Sequence, residues 1–251
     1  MSQENLENET IAIGKVTEQW ALSHGFKTWY AQETTSTNEI AKQQFASSAD
    51  DSAFAVYLTE FQTAGRGRGT HTWLTEEEGA SLLSSWSVKL DGNPAPVFSC
   101  KIGMGLMKAL WATWPFLAWS LKAPNDIYIG DKKVGGLLIE NVIQGNEVQL
   151  VVGLGLNVFD HPLEIENATS ILEALPESAP LMGEDWVSFL DRWIFELTSA
   201  SVTHYEKLNT TECATLTAFL NKNPNLKEKV ISISPDGDME FPNQKVSWTQ
   251  L

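Results

Sequence analysis

Positive charge is scarce in this 251-residue chain: 17 Lys and Arg stand against 32 Asp and Glu, a formal net charge of −15. Phosphate-rich partners need clustered cations, so this balance excludes a nonspecific nucleic-acid or anionic-membrane binder. Two cysteines, Cys100 and Cys213, are too few for a disulfide framework or a Cys-rich metal centre. Each is expected as a small buried apolar side chain. No apolar run reaches membrane-span length: the strongest, residues 106–121, is broken by Lys108 and Pro115. The opening MSQENLENET has neither the basic nor the apolar region of a signal peptide. Repeats and low-complexity tracts are absent, which excludes solenoids. With 43% hydrophobic and 20% charged residues the composition is globular, and the expectation is a soluble, acidic, cytoplasmic protein.

Arginine is the rarest base, and its placement is informative. Only three occur, and two of them stand in Gly65-Arg66-Gly67-Arg68-Gly69. Alternating glycines expose backbone N–H groups, and two guanidinium forks can grip one anion. The segment is neither a P-loop nor a dinucleotide fingerprint, because no Gly-Lys-Ser/Thr and no helix follows at the required place. A plain solvated loop is the alternative.

The hydrophobic pattern predicts a helix within 11–22 and another opening at Ser36-Thr37-Asn38-Glu39, where Ser36 and Glu39 have capping-box spacing. Strands are predicted at 53–59, 81–90 and 117–122, with a core helix over 97–114 between the last two. A hairpin of 127–130 with 134–144 and a strand at 148–158 continue the meander. Acidic-faced helices are predicted at about 168–175 and 184–208, and three short strands at 229–234, 238–241 and 245–249. The implied class is α+β, a mixed, mostly antiparallel central sheet with helices on one face. The division expected is a catalytic domain over 1–208 and a small C-terminal unit over 209–251.

Four further segments could carry chemistry. Lys122-Ala123-Pro124-Asn125-Asp126 puts a lone cation at a strand's mouth before a Pro-fixed turn. Lys133–Glu140 and Gly153–Asn157 each hold two glycines inside an apolar strand, which suggests a bulge or a close backbone approach. Asn157 is a polar residue in an apolar run and needs a partner. Ser36, Thr37 and Asn38 at a helix start could floor a polar pocket. Trp73, ending the Gly-Arg loop, could be core or could stack on a flat ring.

Taken in order, the five segments resemble the biotin protein ligases, in the monofunctional form. That family shows a Ser-Thr-Asn helix start, a Gln-x-x-Gly-Arg-Gly-Arg loop ending in Trp, a Lys-Trp-Pro-Asn-Asp turn, and the two glycine-bearing strands. The resemblance spans roughly residues 30–200. It implies a class II synthetase-like catalytic module that joins biotin to ATP as biotinyl-5′-AMP, with Mg²⁺, and then biotinylates a lysine of a biotin carboxyl-carrier protein or domain. Lys122, Arg66 and Arg68 would be catalytic. Ser36, Thr37, Asn38, Gln62, Gly65, Gly67, Gly135 and Gly136 would join them around biotin. Trp73, Asn125 and Asn157 would meet the ATP, with Asn125 or Asp126 near the Mg²⁺ and no metal ligand certain.

The chain departs from the pattern in three ways. Gly69-Thr70-His71-Thr72 stands where a further Gly-Arg pair is usual, Ala123 replaces Trp, and the C-terminal unit is short. Only 35 residues precede Ser36, with an acidic start, so a DNA-binding repressor role is not expected, and with no span-length apolar run neither is a membrane partner, while a homodimer is allowed. A lipoate or octanoate transferase lacks support, since no Arg-Arg-x-x-Gly-Gly-Gly run occurs. A non-catalytic biotin binder would not need three cations. The arginines have no acidic neighbours in sequence, so the loop is expected to be mobile until an anion arrives.

Overall fold

The computed structural model describes residues 11–47 and 52–248. The acidic opening segment and Thr249, the expected end of the last strand, lie outside the described residues. Along the chain run α1 (Ile13–Ser23), β1 (Lys27–Thr34), α2 (Thr37–Ala46), β2 (Phe54–Gln62), β3 (Ser81–Leu90) and α3 (Phe98–Thr113). Then come β4 (Trp119–Lys122), β5 (Asp126–Ile129), β6 (Lys132–Gln144), β7 (Glu147–Asn157), α4 (Ile171–Ala174), α5 (Gly183–Val202), α6 (Thr210–Asn221), β8 (Ser232–Ile233), β9 (Asp238–Glu240) and β10 (Lys245–Ser247). Seven strands form one sheet in the order β1-β2-β3-β7-β6-β5-β4, and β8–β10 form a second, three-stranded sheet. Only the β1–β2 pair is parallel; the other pairs are antiparallel. The α+β class and the meander therefore stand as expected.

Alternation explains the layering. On β2, Val56 and Leu58 enter the main core with α1, α3 and α5, while Ala55 and Tyr57 join a smaller cluster with Ala41 of α2 and Val151. α1 buries Ile13, Thr17, Trp20 and Ala21, a helical stripe. α3 is apolar nearly all round because it lies between the sheet and α5. Gly105 permits the close approach there: a Cβ would come within 3.1 Å of Glu196 Cβ. Trp86, Trp114 and Trp193 are fully buried. The carboxylate of Glu60, itself fully buried, ties α1 to the sheet. It accepts from Gly14 N–H at 3.0 Å and from the Tyr30 hydroxyl at 2.9 Å. Burial and that neighbouring carboxylate push the Tyr30 hydroxyl pKa up.

Five local expectations need correction. β1 was not anticipated; as an edge strand it is exposed at Lys27, Gln32 and Glu33, half-covered elsewhere, and shows no clean alternation. The helix predicted over 184–208 stops at Val202, and the one near 168–175 shrinks to a single turn capped by Ser170, which accepts from Glu173 N–H. α6 arises where the sequence looked weakly patterned; among its buried residues only Leu216, Phe219 and Leu220 supply an apolar face. The Ser36–Glu39 capping box does not form. Ser36 makes no side-chain cap, and the first helical N–H, that of Thr37, donates to Gln62 Oε1 at 2.9 Å.

Among the described residues, no helix is long and apolar enough to cross a membrane.

Candidate active site

The parallel β1–α2–β2 crossover sets the site. α2 begins at the carboxyl end of β1, which in a parallel pair is also the carboxyl end of β2, so Thr37 meets Gln62 there. The Gly-Arg loop leaves from this point and folds back on itself. Trp73 N–H donates to Gly65 O at 3.0 Å and Gly67 N–H to His71 O at 2.8 Å, with Arg66 bridged to Thr72. Opposite, the β4–β5 turn carries Lys122 to Asp126, and the middles of β6 and β7 make the floor. Together they enclose a cavity of about 920 Å³.

Most expected site residues meet here. Ser36, Thr37, Asn38, Gln62, Arg66, Gly67, Arg68, Trp73, Lys122, Asn125 and Gly136 all line the cavity. Three do not. Gly65 is pressed against Trp73, whose carbonyl would lie 2.5 Å from a Cβ. Gly135 is needed for strand packing, since its Cβ would fall 2.9 Å from Gly155 O. Asn157 is buried at the end of β7, on the same strand face as Gly153 and Gly155 but outside the cavity lining. Its amide donates to Thr169 O at 3.0 Å and so anchors the segment after β7, while its Oδ1 has no partner among the described residues.

Polar side chains at the α2 end form a linked network. Ser85 hydrogen-bonds to Thr37 and Asn38; Asn38 Nδ2 donates to Leu138 O at 3.2 Å and to Glu140 Oε2 at 2.8 Å. Glu140 also pairs with Lys42 at 3.1 Å and with Arg66 at 3.4 Å, and Arg66 bonds Glu39. The expectation that both arginines lack acidic partners fails for Arg66, whose partners lie far off in sequence. It holds for Arg68, an exposed side chain with no ion pair among the described residues. Lys122 is likewise exposed and has no ion pair among the described residues, its ammonium 5.9 Å from the Tyr128 ring centroid.

The Glu39 carboxyl is held below the usual carboxylate range, first by the hydrogen bond from Lys42, then by the charges of Lys42 and Arg66, against opposing burial. Its folded-state pKa is depressed. The contribution of this latch is therefore present above the unfolded value, about 4.3, and lost as pH falls through the folded value. The melting temperatures of the parent and Glu39→Gln should differ at neutral pH and converge in acid. A gap independent of pH would count against the ion pairs.

Asp126 and Asn125 are already engaged. Asp126 pairs with Lys133 at 2.7 Å, and Asn125 clasps Leu137 through its amide (2.8 Å) and its carbonyl (2.9 Å). Among the described residues no three His, Cys, Asp or Glu stand close enough to hold a metal ion. The residues at this turn thus do not fit a resident magnesium site.

A family model described as the biotin/lipoate A/B protein ligase family matches residues 30–157, half of the chain. The chain belongs to this family. The chain is 27% identical over 163 residues to biotin–protein ligase 1, chloroplastic, of Arabidopsis thaliana, covering 62% of this chain and 43% of that one. It is 33% identical over 107 residues to the bifunctional ligase/repressor BirA of Escherichia coli, covering 40% and 32%. The chain thus spans less than half the length of these relatives. Among solved structures, the biotin protein ligase from Aquifex aeolicus in complex with biotin and ATP superposes with a TM-score of 0.64 at 23% identity, covering 88% and 95%. That likeness bears on the fold.

Within this family member, several cavity residues escaped sequence reasoning. Ser84 lines the cavity and Ser85, outside its lining, holds Thr37 and Asn38; both are buried polar residues in an apolar strand, a signal that was there to be read. Gly153 and Gly155 proved to be clearances rather than bulges. A Cβ on Gly153 would meet Asn38 Oδ1 at 2.5 Å, and one on Gly155 would meet the Trp73 ring at 2.6 Å. Trp73 therefore lies across the glycine floor, its Nε1 buried without a partner among the described residues. Gly155→Ala should dislodge the indole and cost about 1–3 kcal/mol, as overpacking does. Trp73 fluorescence would shift against a Trp73→Phe control, whereas an unchanged spectrum and melting temperature would remove Trp73 from the floor.

Proposed function

We propose that the chain is an ATP-dependent biotin protein ligase. The observation that carries this reading is the convergence of five separated motifs on one cavity, polar at one end and lined at the other by Lys122 and Arg68, cations without an ion pair among the described residues. The ureido ring of biotin takes the polar end. There Gln62, whose Oε1 is used by Thr37, has Nε2 left to donate. Biotin's rings lie over Gly136, and its carboxylate reaches Lys122.

In the first step a biotin carboxylate oxygen attacks the α-phosphorus of ATP, the bond to the β-phosphate bridge breaks, and pyrophosphate leaves. Lys122 sits between two anions that repel, and it relieves that repulsion most in the crowded transition state. In the second step a neutral lysine amine of the carrier attacks the biotinyl carbonyl carbon. The bond to AMP breaks, the amine loses a proton, and an amide remains. Arg68 holds the phosphate of the intermediate. Trp73 and Asn125 lie on the nucleotide side, and Asn157, at the end of the same β7 face, anchors the segment that follows. Magnesium arrives on the triphosphate, since the turn residues that might have held it are engaged.

Residues 1–208 form the catalytic domain and 209–251 a small unit beside it. No DNA partner is included, because a net charge of −15 opposes docking along a nucleic-acid backbone.

The test is a mass measurement. A biotin carboxyl-carrier domain incubated with the protein, biotin and Mg-ATP should gain one biotinyl group with pyrophosphate released. Biotin binding with neither product would leave a non-catalytic binder.

A further inference from the structure

A second cavity, about 690 Å³, lies between β4 and the C-terminal unit. Leu220, Leu226, Val230, Met239, Phe241 and Val246 give it apolar walls. It meets the first cavity at Lys122 and Ala123, which line both. Where the resembling pattern has Trp, this chain has Ala123, so the shared wall is low.

Inside the second cavity stands Asn223, only 2% exposed. Its Oδ1 accepts from Asn225 N–H at 2.8 Å, but its Nδ2 has no partner among the described residues. A buried amide donor left unmade is costly, and an acceptor reaching it would remove that cost. The charges on the walls beyond Lys122, Lys227 and Glu228, cancel. A groove that is apolar, nearly neutral and equipped with one buried donor suits a peptide segment better than a polyanionic nucleotide.

We propose that this groove docks the carrier segment beside the target lysine, taking an apolar side chain of that segment while Asn223 Nδ2 donates to its main-chain carbonyl. The inference rests on the transfer reading above. The acceptor amine must reach a carbonyl held at Lys122, so the chain flanking the target lysine passes the Lys122–Ala123 wall, and the groove opens there.

Two variants away from the reacting groups test it. Val246→Trp fills the groove. Asn223→Asp removes the donor and keeps an oxygen for Asn225. Pyrophosphate release in the absence of carrier should stay within about twofold for both. The KM for a purified biotin carboxyl-carrier domain should rise on the order of tenfold, the equivalent of about 1.4 kcal/mol. Replacing the carrier's apolar residue beside the lysine by Asp should slow the parent similarly and add little to Val246→Trp, as coupled sites do. An unchanged carrier KM in Asn223→Asp overturns the proposal. So does a raised KM for ATP with carrier-free turnover impaired, which would place the nucleotide in the groove. A parent protein that releases pyrophosphate yet modifies no carrier defeats the transfer reading itself, and the docking proposal with it.

Discussion

Lys122→Ala is expected to slow biotin-dependent pyrophosphate release by about 10²–10³-fold, the usual effect of deleting a preorganised charge where a transition state gathers it. Biotin binding should weaken far less. In the proposed pose the ureido end is held by the α2 network, which Lys122 does not touch, and the ammonium has no ion pair to lose among the described residues. The protein should also stay folded, because Lys122 is the exposed last residue of β4 and its neighbours Leu121 and Ile127 are fully buried without it. The measurement is single-turnover pyrophosphate release beside a biotin titration of the same variant. A rate within threefold of the parent would reduce Lys122 to a turn residue. Equal losses in binding and rate would instead mean that it holds the ground-state carboxylate only.

The motifs were legible because each states a local backbone requirement that survives without knowledge of the fold. Glycine next to arginine, proline in a turn, and glycine inside an apolar strand are readable residue by residue. What they touch was not. Gly153 and Gly155 read as a bulge or a close backbone approach, and the approach proves to be that of Asn38 and Trp73, more than 80 residues earlier in the chain. Arg66 read as unpaired because Glu39 and Glu140 come to it only through the β1–α2–β2 crossover and the β6–β7 pair.

The same distance effect hid β1 and α6. β1 is extended because it pairs with β2, and its own residues carry little alternation. α6 is amphipathic only weakly, and it is fixed by contact with α3, β4 and β8. The second cavity is a consequence of that packing, so no motif could announce it. Only Ala123 pointed toward it, as a missing wall.

Arg68→Gly is expected to let the activated intermediate escape. The two loop arginines are not equivalent. Arg66 is braced by Glu39 and Glu140, whereas Arg68 has no ion pair among the described residues and is the one available to a phosphate. Its backbone carbonyl accepts from His71 N–H at 3.2 Å, and Gly67 N–H still reaches His71 O, so the loop's fold-back does not depend on the guanidinium. The substitution therefore removes a charge-assisted contact without unlatching Arg66. Hydrogen bonds to charged groups contribute about 1.5–3 kcal/mol, so release of biotinyl-5′-AMP should speed by roughly ten- to over a hundredfold. Adenylate formation should persist on Lys122 and Arg66. Free biotinyl-5′-AMP in filtrates, or biotin landing on unrelated exposed lysines, reports the leak, and Arg68→Lys should restore part of the retention by keeping the charge without the bidentate fork. If Arg68→Gly retains its intermediate as the parent does, the phosphate is held elsewhere, and Arg66 would then have to leave its carboxylates to hold it.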